Sequence, residues 1–180
     1  VEPVRWLWYP YIPLGKLSII HGDPAEGKTT LALWIAAACS RGQALPGGET
    51  GEPLTVLYQA AEDGLGDTIK PRLLESKADM QKIYTIDETD FPLSMLDHRI
   101  GEAIQDTHAQ LMILDPMQAY LGECQRRMVK NLKRRPENDP NAGNKASVIY
   151  AGTLSAGQLS AGSSAGGTGW TPAFHRSLSR

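Results

Sequence analysis

Residues 21–30 read HGDPAEGKTT, directly after the apolar run LSII and directly before LALWIAAACS. Gly22, Asp23, Pro24, Ala25, Glu26, Gly27, Lys28 and Thr29 fit the spacing GxxxxGK[S/T], and Thr30 follows. A loop wrapped around a polyphosphate turns successive backbone N–H groups inward, and glycines permit the close approach and unusual dihedrals that this requires. Lys28 would reach the β and γ phosphates, and the Thr29 hydroxyl would ligate Mg²⁺. The helix opening at Thr29 would aim its positive end at the same charge. The plain alternative is a Gly/Lys turn that merely caps a helix; the strand-like run before it and the helix-like run after it favour the phosphate reading.

On either side, short apolar runs alternate with amphipathic ones. LSIIHG (17–22), TVLYQA (55–60), KIYTID (82–87), LMILD (111–115) and SVIYAG (147–152) read as buried strands. KTTLALWIAAACS, LGDTIKPRLLESK and LDHRIGEAIQDTHAQ carry apolar residues at helical spacing, the last with Leu96, Ile100, Ala103 and Ile104 on one face. Pro71 inside the second of these predicts a late start or a kink. The turn-rich RGQALPGGETGEP puts the next strand near Leu54. Such alternation predicts an α/β fold, a central mainly parallel sheet with helices on both faces.

Composition narrows the partners. The chain has 180 residues with 18 Lys plus Arg against 20 Asp plus Glu, a net charge of −2, so any nucleic-acid site must be a local patch. Cys39 and Cys124 lack metal-site spacing and read as reduced thiols. The longest apolar stretch, LALWIAAAC, is half a membrane span, and VEPVRWLWYP has no signal-peptide cleavage site; the expectation is a soluble, cytoplasmic protein without a membrane partner.

Two further strand ends supply carboxylates. LMILDP ends in Asp115, the form of a Walker B segment, where a carboxylate beside the phosphate loop can hold Mg²⁺ through water. The alternative is a strand that simply stops at an Asp-Pro turn. TVLYQA runs into Glu62 and Asp63. Because Pro116, not a glutamate, follows Asp115, Glu62 is the candidate base for the attacking water, against the reading of a helix N-terminal carboxylate.

The stretches WLWYPYIPLGKLSIIHGDPAEGKTTLAL, VLYQAAEDGLGDTIKPRL and LMILDPMQAYLG resemble the RecA-like P-loop ATPases of the RepA type, relatives of the hexameric DnaB-like replicative helicases, over about two thirds of the chain. The resemblance implies a RecA-like core that binds ATP and Mg²⁺, with Lys28, Thr29, Glu62 and Asp115 at the nucleotide, magnesium and catalytic positions. It implies a homo-oligomeric, hexameric ring with ATP at subunit borders and single-stranded DNA in its channel. Thr153, after SVIYAG, stands where the family commonly keeps a histidine sensor of the γ-phosphate. Neither Arg176 nor Arg180 lies in a context that matches the family's arginine finger.

The resemblance thins along the chain. Residues 1–122 are expected to form the ATPase core and 123–152 an atypical continuation with a basic helix, a breaker loop and a last strand. The Ser/Ala/Gly-rich 153–180 would be a flexible tail. An altered reading frame or a truncated gene after about residue 124 would explain the change, and translating the other two frames tests it. In the continuation, Arg126, Arg127, Lys130, Lys133, Arg134 and Arg135 are candidate DNA contacts, or a merely solvated helix face. Trp6, Trp8, Tyr9 and Tyr11 are expected to pack on the sheet edge rather than to stack bases.

Three functions remain open at this stage: an ATPase motor or helicase domain, a nucleotide-binding regulatory or assembly module with little or no turnover, and a small-molecule kinase. The third lacks an arginine-rich lid.

Overall fold

The protein is described from a computed structural model, in which residues 3–61, 63–121 and 146–151 are placed. Two short antiparallel strands, β1 (Trp6–Trp8) and β2 (Ile12–Pro13), open it. The aromatic opening packs on a helix and the loop behind it: the Trp8 ring meets Trp34 edge-on at 6.0 Å, and its Nε1 donates to the Pro46 carbonyl at 3.1 Å. Tyr9 and Tyr11 stay exposed.

The main sheet uses β3 (Lys16–His21), β4 (Val56–Ala60), β5 (Ile83–Tyr84), β6 (Leu111–Asp115) and β7 (Ala146–Ala151), in the spatial order β3-β7-β6-β4-β5. β5, β4 and β6 pair in parallel. β7 runs antiparallel to both β6 and β3, so β3 points the same way as the parallel trio. Helices cover both faces. On one lies α1 (Lys28–Ser40), with Leu33 and Ile35 packed in the cluster that holds Val56, Tyr58, Leu111, Ile113 and Ile149. On the other lies α3 (His98–Thr107), whose Ile100, Ala103 and Ile104 join Leu57 and Leu114. Alternate residues of β4 and β6 thus serve opposite layers, which is why both strands read as unbroken apolar runs. Among the described residues no helix is long and apolar enough to cross a membrane.

Three local expectations are corrected. The stretch 65–77 is not one helix: Leu65–Ile69 forms a single π-helical turn and α2 spans Lys70–Glu75, with Pro71 in its first turn. Pro71 thus sits where the π-helical turn passes into the α-helix, an irregularity in keeping with its missing N–H. The strand expected over 82–87 stops at Tyr84 because the buried Gln59 side chain captures the backbone beyond it. Its Oε1 accepts from Ile86 N at 2.5 Å and from Thr85 Oγ1 at 2.6 Å, and its Nε2 donates to Glu88 Oε1 at 2.8 Å. Leu96, expected on the buried face of the third helix, is 78% exposed, since Asp97 caps α3 one residue later.

That cap is also an ion pair. Asp97 Oδ1 accepts from Arg99 N at 3.0 Å, and Oδ2 accepts from Arg99 Nη2 at 2.8 Å, while Arg99 donates onward to the Phe91 and Pro92 carbonyls. Hydrogen bonding from Arg99 holds the Asp97 carboxyl below its usual range. A depressed folded-state pKa contributes stability that is present above the ordinary aspartate value and lost as pH falls through the folded one. Asp97→Ala is therefore expected to cost about 1–2 kcal/mol near neutral pH. The gap to wild type should begin to narrow below about pH 4 and shrink further as pH falls through the depressed value, as read from urea midpoints across a pH series.

Candidate functional site

Within the stretch 21–30, residues 22–27 form the loop between the end of β3 at His21 and the start of α1 at Lys28. Its shape is set by its own residues. Ala25 at φ +66° and Gly27 at φ +80° both occupy the left-handed region, free for Gly27 but costing on the order of 1 kcal/mol at Ala25. The Glu26 carboxylate reaches back to accept from Asp23 N at 2.7 Å, and a Cβ on Gly22 would run into that carboxylate. Gly22, Asp23 and Glu26 thus brace the loop from behind. Lys28 donates from Nζ to the Gly22 carbonyl at 3.0 Å and to the Asp23 carbonyl at 2.5 Å. No side chain caps the first turn of α1, which leaves its leading amides for an external acceptor.

Asp115 closes β6 across from Ala60, 8% exposed, and its Oδ2 accepts from the Tyr58 hydroxyl at 3.1 Å. Burial, reinforced by the Asp115 charge, pushes the Tyr58 phenol well up, so it keeps its proton and donates. Ala61 N donates to the Asp115 carbonyl at 3.3 Å, tying the turn after β4 to the end of β6.

Loop, helix start and strand end open on one cleft of about 370 Å³. Pro24, Ala25, Gly27, Lys28, Thr29 and Thr30 line it from the loop and the start of α1, Asp63 and Arg72 from the stretch after β4, and Asp115 and Pro116 from the end of β6. The cleft lies outside the carboxyl ends of β3 and β6, where the strand order is interrupted, the place where open α/β sheets receive ligands. Its wall offers two cations, two carboxylates and two hydroxyls. A larger hollow of about 700 Å³ lies toward the opposite end of the sheet, beside Lys16, Cys39 and Leu54. There burial pushes the Cys39 thiol up to about 12, so it offers no ready nucleophile.

Reading the sequence missed Arg72 and assigned no role to Asp63. Arg72 lies on α2 just before the fully buried Leu73 and lines the cleft. Glu62, Thr153 and the basic group Arg126, Arg127, Lys130, Lys133, Arg134 and Arg135 lie outside the described residues. β7 ends at Ala151 beside Lys16 and Leu111, while its first residue, Ala146, is the one level with His21.

Among the described residues no three His, Cys, Asp or Glu side chains cluster as a metal cage. Thr29 and Asp115 on the cleft wall are oxygen donors of the kind Mg²⁺ takes when phosphate and water complete its shell. Compared with known proteins, residues 1–132 match the family model described as an AAA domain. No curated protein and no solved structure matches the chain.

Proposed function

The chain belongs to the AAA domain family of ATP-binding ATPase modules, and from that membership we propose that it hydrolyses ATP with Mg²⁺ as a DNA-associated motor of the RepA-type helicase kind that its sequence resembles. The observation that carries the reading is the meeting of Lys28, Thr29 and Asp115 on one cleft beneath the uncapped start of α1.

In this reading the leading amides of α1 and the Lys28 ammonium bind the β and γ phosphates, the ammonium exchanging its two loop carbonyls for phosphate oxygens. Thr29 would hold the magnesium ion directly and Asp115 through water; the ion offsets the charge that builds on the transferring phosphoryl group. Arg72, which also lines the cleft, would add a second positive group toward the phosphates. Glu62 would take the proton of the attacking water. Ring assembly would place this cleft at a subunit border with single-stranded DNA nearby, in part through the basic group at 126–135.

Phosphate release measured with Mg²⁺, with and without single-stranded DNA, tests the proposal. Hydrolysis that DNA accelerates supports the motor. Nucleotide binding with a rate that DNA leaves unchanged removes the helicase reading and leaves a nucleotide-binding assembly module. Size measurement with and without ATP and Mg²⁺ tests the ring, and a monomer in both conditions would overturn it.

A further inference from the structure

We infer that Tyr58 is a positioning residue for Asp115, its buried hydroxyl fixing the rotamer in which that carboxylate meets the cleft. The inference rests on the nucleotide reading of the cleft and extends it to a residue that touches neither phosphate nor metal.

Strand register makes the arrangement possible. Tyr58 lies opposite Ile113, and Ala60 lies opposite Asp115, so Tyr58, Ala60, Ile113 and Asp115 all fall on one face of the sheet. Two residues of strand rise about 6–7 Å, a span that a tyrosine side chain laid along the sheet can cover. Ala60, directly beside Asp115, carries only a methyl group and leaves that path open. The ring is 1% exposed and wedged in the cluster under α1, so the hydroxyl has little freedom once the core is packed. At 3.1 Å from Oδ2 it commits one carboxylate oxygen.

The chemistry favours a neutral donor such as a phenol over a cationic one. A lysine or arginine would fix the carboxylate equally well but would cancel the negative charge that a metal shell draws on. A phenol donates one hydrogen bond and leaves the charge in place. A phenylalanine would fill the same volume, so core packing alone does not call for the hydroxyl.

Fluorescent mant-ADP titrated against each protein, first in EDTA and then at rising MgCl₂, separates the contributions. Tyr58→Phe is expected to keep its melting temperature within a few degrees and its affinity in EDTA within about twofold, while raising the half-saturating Mg²⁺ concentration about tenfold. In an Asp115→Asn background the same change should have no further effect, because its route to the metal is gone. A wild-type Mg²⁺ midpoint in Tyr58→Phe, or an equal shift with and without Asp115, overturns the inference. If instead wild-type binding ignores Mg²⁺, or Asp115→Asn keeps the wild-type midpoint, the magnesium role of Asp115 falls and takes this inference with it, whereas no mant-ADP binding at all would overturn the nucleotide reading of the cleft.

Discussion

Lys28→Ala is expected to lower nucleotide affinity by about a hundredfold or more while the protein stays folded. Two charge-assisted hydrogen bonds to phosphate, each about 1.5–3 kcal/mol, set the scale of the loss. Stability should change little, because the ammonium bonds only two carbonyls of its own loop and anchors nothing in the core. Removing it also frees those carbonyls to water at the protein surface, where they are readily satisfied. Titration with a fluorescent nucleotide beside a thermal melt checks both halves. Wild-type affinity in the variant would show that the loop does not bind phosphate through this residue.

The features that made this loop legible are local. GxxxxGK[S/T] places its glycines, lysine and hydroxyl within a few residues of one another, and α1 begins at Lys28 because Gly27 beside it takes the left-handed turn. The α/β layering was equally readable, since the runs around Leu57 and Ile113 are apolar enough for burial on both faces. What stayed hidden depends on distant partners. Nothing near Thr85 or Ile86 announces that Gln59 will take their hydrogen bonds and end β5 early. Leu96 fits a helical stripe by spacing, and only the cap at Asp97 removes it. The direction of β7 was unreadable for a different reason: a run such as SVIYA is equally apolar read forwards or backwards, and direction is decided by the connection that precedes it. Arg72 carries no motif of its own, and only the fold brings it to the cleft that the loop and Asp115 line.

Glu62→Gln is expected to slow phosphate release by about 10²–10⁴-fold with nucleotide affinity retained. Glutamine keeps the size of the side chain and can still accept a hydrogen bond from water, but it cannot take up the proton. Its flanking residues are suitably placed: Ala61 is tied to the end of β6, and Asp63 lies on the cleft wall. Single-turnover phosphate release, paired with a binding titration, distinguishes lost chemistry from lost binding. A full rate in the variant would take the base role away from Glu62, and Asp63 would become the carboxylate to test next.

The position of β7 bears on how the chain assembles. Among the described strands of the main sheet, β3 is hydrogen-bonded to β7 alone, and the two lie about 125 residues apart along the chain. β4, β5 and β6 close their ladders over much shorter separations, and contacts of that kind form early. The strand that carries the phosphate loop is then among the last to find its register, waiting on a segment about 125 residues further along the chain. A chain stopped before Ala146 would already hold the parallel trio and α3 yet lack the strand that, among those described, ties β3 into the main sheet, so competence to bind nucleotide would wait on that distant segment.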